Sequence, residues 1–324
     1  MPIGQKPRVV VPDDAPPVMG PSQAYQNLLR KADVQYYDSL PGSEETLIER
    51  IRDAGIVINI RSSARFTENV FRNAPHLRLL SIWGTGTDNV DLKAAGCAGV
   101  TVTNTPGVAA ISIGEHALAL TLAVARNLNR IDAATRSGEW PRGQMVQLHG
   151  KTLGIIGLGA IGRQFARLGQ GIGMKVIAWT MHPNPALGFE LVEWEELFRR
   201  SDVVSLHLRL SEQTRRMIGA REFQAMKRSA IFVNTARGPV VDEAAMMEAL
   251  SSGRISGAGL DVFDKEPLPS GHPLTQLPNV VLTPHCAGIT PETLEAGLQL
   301  SVDNIWSFLA GEPENVVVAA APKE

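Results

Sequence analysis

The chain has 324 residues, enough for two domains with cores of their own. Its formal net charge of −2, with 20% charged residues, provides no basic face for a polyanion, so nucleic acid is not expected as a partner. Hydrophobic residues make up 44%, yet no run approaches the roughly 18 apolar residues of a membrane span, so no membrane partner is expected either. The opening "MPIGQKPRVVVPDDAPP" lacks an apolar signal core, and two cysteines, Cys97 and Cys286, are too few for a disulfide framework. A cytoplasmic location is expected. Neither cysteine stands in metal-ligand spacing, so no metal is expected.

In chain order, short apolar runs alternate with amphipathic stretches, the pattern of parallel strands joined by helical crossovers. "RVVVP", "GIVINI", "LRLLSIW" and "GVTVTN" read as strands of a first unit, with helices such as "SEETLIERIRD" between them. Next comes "SIGEHALALTLAVARNLNRI", a long apolar-rich helix interrupted by Glu115, His116, Arg126 and Arg130; it reads as a packed spacer between domains, not a membrane element. Beyond the polar loop "SGEWPRGQMVQLHGK" a second series begins: "TLGIIG", "KVIAW", "DVVSLHL", "AIFVNT", "ISGAGLDV" and "NVVLTP". Six strands with helices among them match a doubly wound sheet. "PNPALGFE" and "KEPLPSGHP" read as loops, and "PETLEAGLQLSVDNIWSFLAG" as a final helix.

The second series opens on a glycine motif that follows a strand and starts a helix, the context in which G-x-G-x-x-G signifies a dinucleotide site. Gly157 makes the tight turn, Gly159 lets the backbone approach a pyrophosphate, and Gly162 lets helix and sheet pack closely. The amides of Ala160 and Ile161 at the helix start supply the anion site. The acid that should close the next strand and select NAD is missing, and Thr180 stands in its place.

Three more stretches fall where strands of this series end, the edge at which open parallel sheets bind ligands. "VNTARGPVVDE" carries Arg237, "GLDVFDKEP" carries Asp261 and Glu266, and "LTPHCAG" carries His285. Singly, each could be a surface or backbone-bonded residue. Together they suit hydride transfer to a 2-keto acid. Arginine grips a carboxylate with two prongs, histidine exchanges a proton near neutrality, and a nearby carboxylate orients the imidazole.

At these residues the chain resembles the D-isomer-specific 2-hydroxyacid dehydrogenase family. The likeness runs through "WGTGTDNVDL", "NTPGVAAISIGEHALAL", "GKTLGIIGLGAIG", "VNTARGPVVDE", "GLDVFDKEPL" and "PHCAG", in that order. The resemblance implies that Arg237, Glu266 and His285 are catalytic. It implies further that Asp261 holds the nicotinamide carboxamide, with Thr235 and Ala236 among the cofactor residues, and that the amides of Gly84, Thr85 and Gly86 grip the substrate carboxylate. It also implies an α/β architecture in which a doubly wound Rossmann cofactor domain, residues 105–290, is inserted into a smaller flavodoxin-like substrate domain, residues 1–104 and 291–324, with the site in the cleft. Members are usually homodimers that pair through the cofactor domain.

Departures from the family pattern bear on the ligands. Relatives with phosphorylated substrates tend to carry a basic residue just before the glycine loop, where this chain has Ile82 and Trp83; Arg61 keeps a cation in the same domain, and no regulatory domain is expected after the final helix. Trp83 either lines a tight pocket or packs in the core, and Cys286 reads as a packing residue. With Thr180 in place of the acid, and with His182 and Arg209 nearby, the cofactor reads as NADP(H) or NAD(H), with the charge pattern favouring NADP(H) slightly. Arg209 ends a strand that should lie beside the first of the series, although both it and His182 could equally face solvent. Two rivals to a 2-keto acid reductase are a dinucleotide-sensing corepressor relative and a formate or phosphite dehydrogenase.

Overall fold

The computed structural model describes residues 6–321; residues 1–5, on which the reading of a missing leader partly rests, and 322–324 lie outside the described range. The chain divides into two compact units, with breaks between Ala109 and Ala110 and between Ile289 and Thr290. The middle segment forms one unit; the flanking segments together form the other.

In the flanking unit, β1 (Arg8–Val11), β2 (Asp33–Tyr36), β3 (Ile56–Asn59), β4 (Leu79–Ile82) and β5 (Thr101–Thr103) lie parallel in the order β2-β1-β3-β4-β5. This is the flavodoxin-like order. A last strand, Val316–Val318, pairs antiparallel with β5 at the edge. β3 and β4 are buried at every position, as parallel strands covered on both faces must be, and so they stand out as apolar runs. β2, "DVQY", alternates between exposed and half-buried residues at the opposite edge and carries no such run.

The helix Pro291–Ala310 belongs to this unit. Thr290 caps it, its Oγ1 accepting from the amide of Thr293 at 3.2 Å, and Gly311 ends it at φ +87°. Leu298, Val302 and Ile305, spaced along one helical face, are fully buried against Val9, Val11, Ile56, Ile58 and Leu79. Trp83 packs into the same cluster, so close to the helix that a Cβ on Gly297 would lie 2.5 Å from its Nε1. Trp83 therefore serves packing of this helix.

The middle unit has seven strands where the apolar runs predicted six. β6 (Thr152–Ile156), β7 (Lys175–Trp179), β8 (Glu190–Leu191), β9 (Val203–Leu206), β10 (Ile231–Asn234), β11 (Gly257–Leu260) and β12 (Val280–Leu282) form a parallel sheet ordered β8-β7-β6-β9-β10-β11-β12. This is the doubly wound Rossmann order continued by β12. The extra strand, β8, is two residues long at the sheet edge and starts at Glu190, the last residue of the stretch read as a loop.

The long helix of the sequence reading is two helices, Ala110–Ala125 and Leu128–Arg136, separated at Asn127, whose φ of +50° ends the first. Asparagine tolerates this left-handed geometry better than most residues, and no glycine or proline advertised the break. Ala110–Ala125 packs on its own unit's sheet, close enough that a Cβ on Gly259 would lie 2.8 Å from Leu120 Cβ. Among the described residues no helix is long and apolar enough to cross a membrane.

Candidate active site

Because the strands of the middle unit run parallel, every loop that follows one emerges at the same edge of the sheet. The glycine loop leaves β6 and enters the helix Ala160–Gly171. Gly157 adopts φ +98°, and a Cβ there would stand 2.6 Å from the carbonyl oxygen of His207. At Gly162 a Cβ would stand 2.0 Å from the carbonyl oxygen of Gly157. Both positions therefore admit only glycine. Gly159 differs: nothing lies within 4 Å of a Cβ placed there. It caps the helix without a side-chain bond, and no acidic residue occupies the first turn, so no side chain there supplies a cap or a charge that would repel an anion from the amides of Ala160 and Ile161. These features fit a dinucleotide pyrophosphate.

Thr180 follows β7, half-buried, its Oγ1 accepting from the amide of His182 at 3.4 Å, while the His182 side chain is exposed. Arg209 follows β9, which pairs directly with β6, and is exposed, its carbonyl accepting from Thr214 Oγ1 at 2.6 Å.

The turn after β10 is locked from within by buried Asn234, whose Oδ1 accepts from the amide of Ala236 at 3.0 Å and whose Nδ2 donates to the carbonyl of Arg237 at 3.1 Å. Thr235 is buried here, with no hydrogen-bond partner for its Oγ1. Arg237 donates through Nη1 to the carbonyl of Ala236 at 2.8 Å. Gly238 follows because a Cβ there would meet the backbone carbon of Phe263 at 1.9 Å. The loop after β10 thus lies flat against the loop that carries Glu266.

Glu266 and His285 form a pair, with His285 Nδ1 2.7 Å from Glu266 Oε2, while Glu266 Oε1 accepts from the amide of Phe263 at 3.0 Å. Burial pushes the Glu266 carboxyl up, but the hydrogen bond and charge of His285, the Phe263 amide and the charge of Arg237 together hold it below its ordinary value. Since an ionised carboxylate only accepts, Nδ1 carries the shared hydrogen and Nε2 is left for other chemistry. His285 itself is held at φ +52° by its amide, which donates to the carbonyl of Asp261 at 2.7 Å. This left-handed backbone costs a side-chain-bearing residue roughly 1–2 kcal/mol, and it turns the imidazole towards Glu266.

Asp261 is 1% exposed and heavily bonded. It accepts from Thr283 Oγ1 at 2.6 Å and from the amides of Cys286 and Ala287, each at 2.9 Å. His116 Nε2 lies 3.5 Å from Asp261 Oδ1 and 2.9 Å from Thr283 Oγ1. Burial pushes the Asp261 carboxyl up, and these donors more than reverse it, leaving it below its ordinary value. His116 and Thr283 carry no signal as site residues in the sequence. His116 reads there only as an interruption in an apolar helix, and its partnership with Asp261 exists only in the folded unit. Cys286 is half-buried, and burial followed by the charge of Asp261 pushes its thiol up.

In the flanking unit, the segment Gly84–Thr85–Gly86 leaves β4 half-buried, with Gly84 at φ +121°. The Gly84 amide donates to Thr105 Oγ1 at 2.7 Å, the Thr105 amide returns a bond to the Gly84 carbonyl at 3.0 Å, and Asn104 Nδ2 donates to the Thr85 carbonyl at 2.9 Å. The middle unit gathers every other predicted site residue.

A doubly wound unit with a dinucleotide loop, and an imidazole–carboxylate pair and an arginine on the same sheet edge, defines a nicotinamide-dependent oxidoreductase. Residues 118–287 match the family model described as the D-isomer specific 2-hydroxyacid dehydrogenase NAD binding domain. A glyoxylate reductase of Korarchaeum cryptofilum is 41% identical over 291 residues, spanning 86% of this chain and 87% of the relative. A glycerate dehydrogenase of Methylorubrum extorquens is 38% identical over 285 residues, 85% of this chain and 89% of the relative. Among solved structures, an acyclic imino acid reductase (Bsp5) in complex with NADPH and D-Arg superposes with a TM-score of 0.90 at 29% identity, covering 96% of this chain and 100% of that one. The chain belongs to the D-isomer-specific 2-hydroxyacid dehydrogenase family, whose members are NAD(P)-dependent oxidoreductases acting on the CH–OH group of hydroxy acids.

Proposed function

We propose that this protein reduces a small 2-keto acid of the glyoxylate or hydroxypyruvate type to the 2-hydroxy acid, the D isomer wherever the product is chiral, with a modest preference for NADP(H). The observation that carries the reading is the 2.7 Å contact between His285 Nδ1 and ionised Glu266. The names of the relatives, glyoxylate reductase and glycerate dehydrogenase, support the substrate class.

The glycine loop and the first amides of the helix Ala160–Gly171 hold the pyrophosphate, and Asp261 with Thr235 and Ala236 hold the nicotinamide end. The bound nicotinamide supplies the hydride. His285, held by Glu266 through Nδ1, gives its Nε2 proton to the carbonyl oxygen as that atom gains negative charge. Arg237 binds the substrate carboxylate through its planar fork, and its positive charge helps keep Glu266 ionised. In the glycine segment the Gly84 amide is already taken by Thr105, so the amides of Thr85 and Gly86 serve the carboxylate.

The cofactor preference rests on Thr180, which brings no charge to repel a 2′-phosphate, and on exposed His182 and Arg209. Pairing as a homodimer through the middle unit is supported by large apolar side chains left exposed within one stretch of it, Ile111 at 61%, Leu128 at 52% and Trp140 at 73%; sedimentation as a monomer at micromolar concentration overturns that part.

The test is a panel of glyoxylate, hydroxypyruvate, pyruvate, phenylpyruvate and oxaloacetate, each assayed with NADH and NADPH by loss of nicotinamide absorbance. Turnover of none, despite tight cofactor binding, overturns the enzymatic reading in favour of a dinucleotide sensor. Thr180→Asp should move the preference towards NADH, and Arg209→Ala should weaken NADPH selectively. A tenfold preference for NADH in the wild type, about 1.4 kcal/mol, refutes the NADP(H) assignment.

A further inference from the structure

His116, Asp261 and Cys286 come from three separate stretches of the middle unit, and their donor atoms all lie within 4.8 Å of one another. We propose that they form a binding site for a divalent cation of the zinc class, and that the cation competes there with the cofactor. The competition, though not the site itself, rests on the reading of Asp261 as a nicotinamide ligand.

The donor set decides the class of ion. Magnesium and calcium take oxygen ligands, whereas one imidazole nitrogen, one thiolate sulfur and one carboxylate oxygen suit a borderline ion such as Zn²⁺. The spacing agrees with one ion shared among them. At ordinary bond lengths, nitrogen and oxygen on a tetrahedral zinc are about 3.4 Å apart, and His116 Nε2 stands 3.5 Å from Asp261 Oδ1. Sulfur and nitrogen on the same ion are about 3.6 Å apart, and the sulfur of half-buried Cys286 already lies within 4.8 Å of both other donors. Water takes the fourth position.

Two of the donors are already held together by Thr283, whose Oγ1 accepts from His116 Nε2 at 2.9 Å and donates to Asp261 Oδ1 at 2.6 Å. An entering cation replaces those two hydrogen bonds. Zinc–sulfur and zinc–nitrogen bonds form; the Cys286 sulfur–hydrogen bond breaks and its proton passes to solvent, while His116 gives up the hydrogen on Nε2 and takes one up on Nδ1 so that the ring stays neutral, and no oxidant or reductant is involved. The amides of Cys286 and Ala287 continue to hold the carboxylate at 2.9 Å, so the site keeps its shape with or without the ion. A cation there also occupies the one carboxylate that the nicotinamide end needs.

Equilibrium dialysis of the full chain, free of cofactor, against Zn²⁺ and Co²⁺ should find one ion per chain. The Co²⁺ form should show a thiolate-to-cobalt charge-transfer band in the near ultraviolet. Cys286→Ala should abolish the band and weaken Zn²⁺ binding at least tenfold, and His116→Gln should weaken it while keeping the band. Absence of stoichiometric binding, absence of the band, or equal affinity in Cys286→Ala overturns the site. NADPH titrations followed by nicotinamide fluorescence should give an apparent Kd that rises with Zn²⁺ in the wild type and not in Cys286→Ala. If zinc binds with the expected cobalt signature yet leaves NADPH affinity unchanged, the site stands and the competition is refuted along with the cofactor role of Asp261.

Discussion

Replacing Gly157 by alanine should cost mainly stability, whereas replacing Gly159 should cost mainly cofactor affinity, because one glycine answers to the fold and the other to the ligand. At Gly157 the backbone sits at φ +98°, and a Cβ would be 2.6 Å from the backbone oxygen of His207, well inside the 3.4 Å at which ordinary contact begins. No flexible side chain can swing away to relieve that clash. A strained backbone costs about 1–3 kcal/mol and overpacking a similar amount, so the Gly157→Ala variant should lose about 3 kcal/mol. At Gly159 the backbone has φ −66°, open to any residue, and nothing lies within 4 Å of the added methyl. That substitution should cost no more than about 1 kcal/mol, the loss of a tolerable N-cap residue. On the proposed reading, however, its methyl takes up open space at the N-terminus of the helix that the pyrophosphate would fill. Loss of one charge-assisted hydrogen bond there is worth roughly 1.5–3 kcal/mol, or about ten- to a hundredfold in Kd. Urea unfolding measures the first effect and nicotinamide fluorescence titration the second. A Gly159→Ala protein that binds cofactor within twofold of wild type refutes the ligand-facing role, and a Gly157→Ala protein of unchanged stability refutes the packing argument.

His285→Ala should lower reductive turnover by roughly 10²- to 10⁴-fold with little change in cofactor affinity; unchanged turnover in a stopped-flow or steady-state assay removes His285 from the reaction. Arg237→Lys keeps the charge but loses the fork, so KM for the keto acid should rise and kcat should fall, and wild-type kinetics would leave Arg237 a structural role alone. Asp13 is wholly buried two residues beyond β1, where burial pushes its carboxyl from 3.8 up to about 6 against the hydrogen bonds it accepts from the amides of Ile60 and Arg61. The folded protein therefore binds more protons than the unfolded chain across that interval, and stability should fall as pH rises through it, by about 3 kcal/mol once pH exceeds both values. The urea stability of wild type relative to Asp13→Asn should show this decline, and a difference independent of pH between 4.5 and 7.5 counts against it.

What could be read from the sequence follows from where water reaches each strand. The strands β3, β4, β6, β9, β10 and β11 are buried almost throughout, so their apolar runs announce them, and the polar residues that follow mark the ligand edge. β2, β8 and Val316–Val318 are edge strands with exposed or half-exposed positions, so nothing in their composition separates them from loop. The side chains that hold the site were harder still to find, because each depends on a neighbour distant in sequence. His116 matters through Asp261 and Thr283; Asn234 matters by fixing the turn at Arg237.

Gly238 shows how chemistry and position divide between adjacent residues. In "TARG" the arginine is the conspicuous residue, because a cation at a strand end suits a carboxylate ligand. The glycine that follows looks like an ordinary turn residue, yet a Cβ there would run into the backbone of Phe263 and Asp264, at 1.9 Å and 2.4 Å. Phe263 also donates its amide to Glu266. The missing side chain thus lets the arginine loop rest on the same backbone that aligns the carboxylate of His285's partner. Any larger residue at this position would separate Arg237 from Glu266 and weaken the charge that keeps Glu266 ionised. The arginine carries the charge, and its neighbour's lack of a side chain sets the distance at which that charge acts on Glu266.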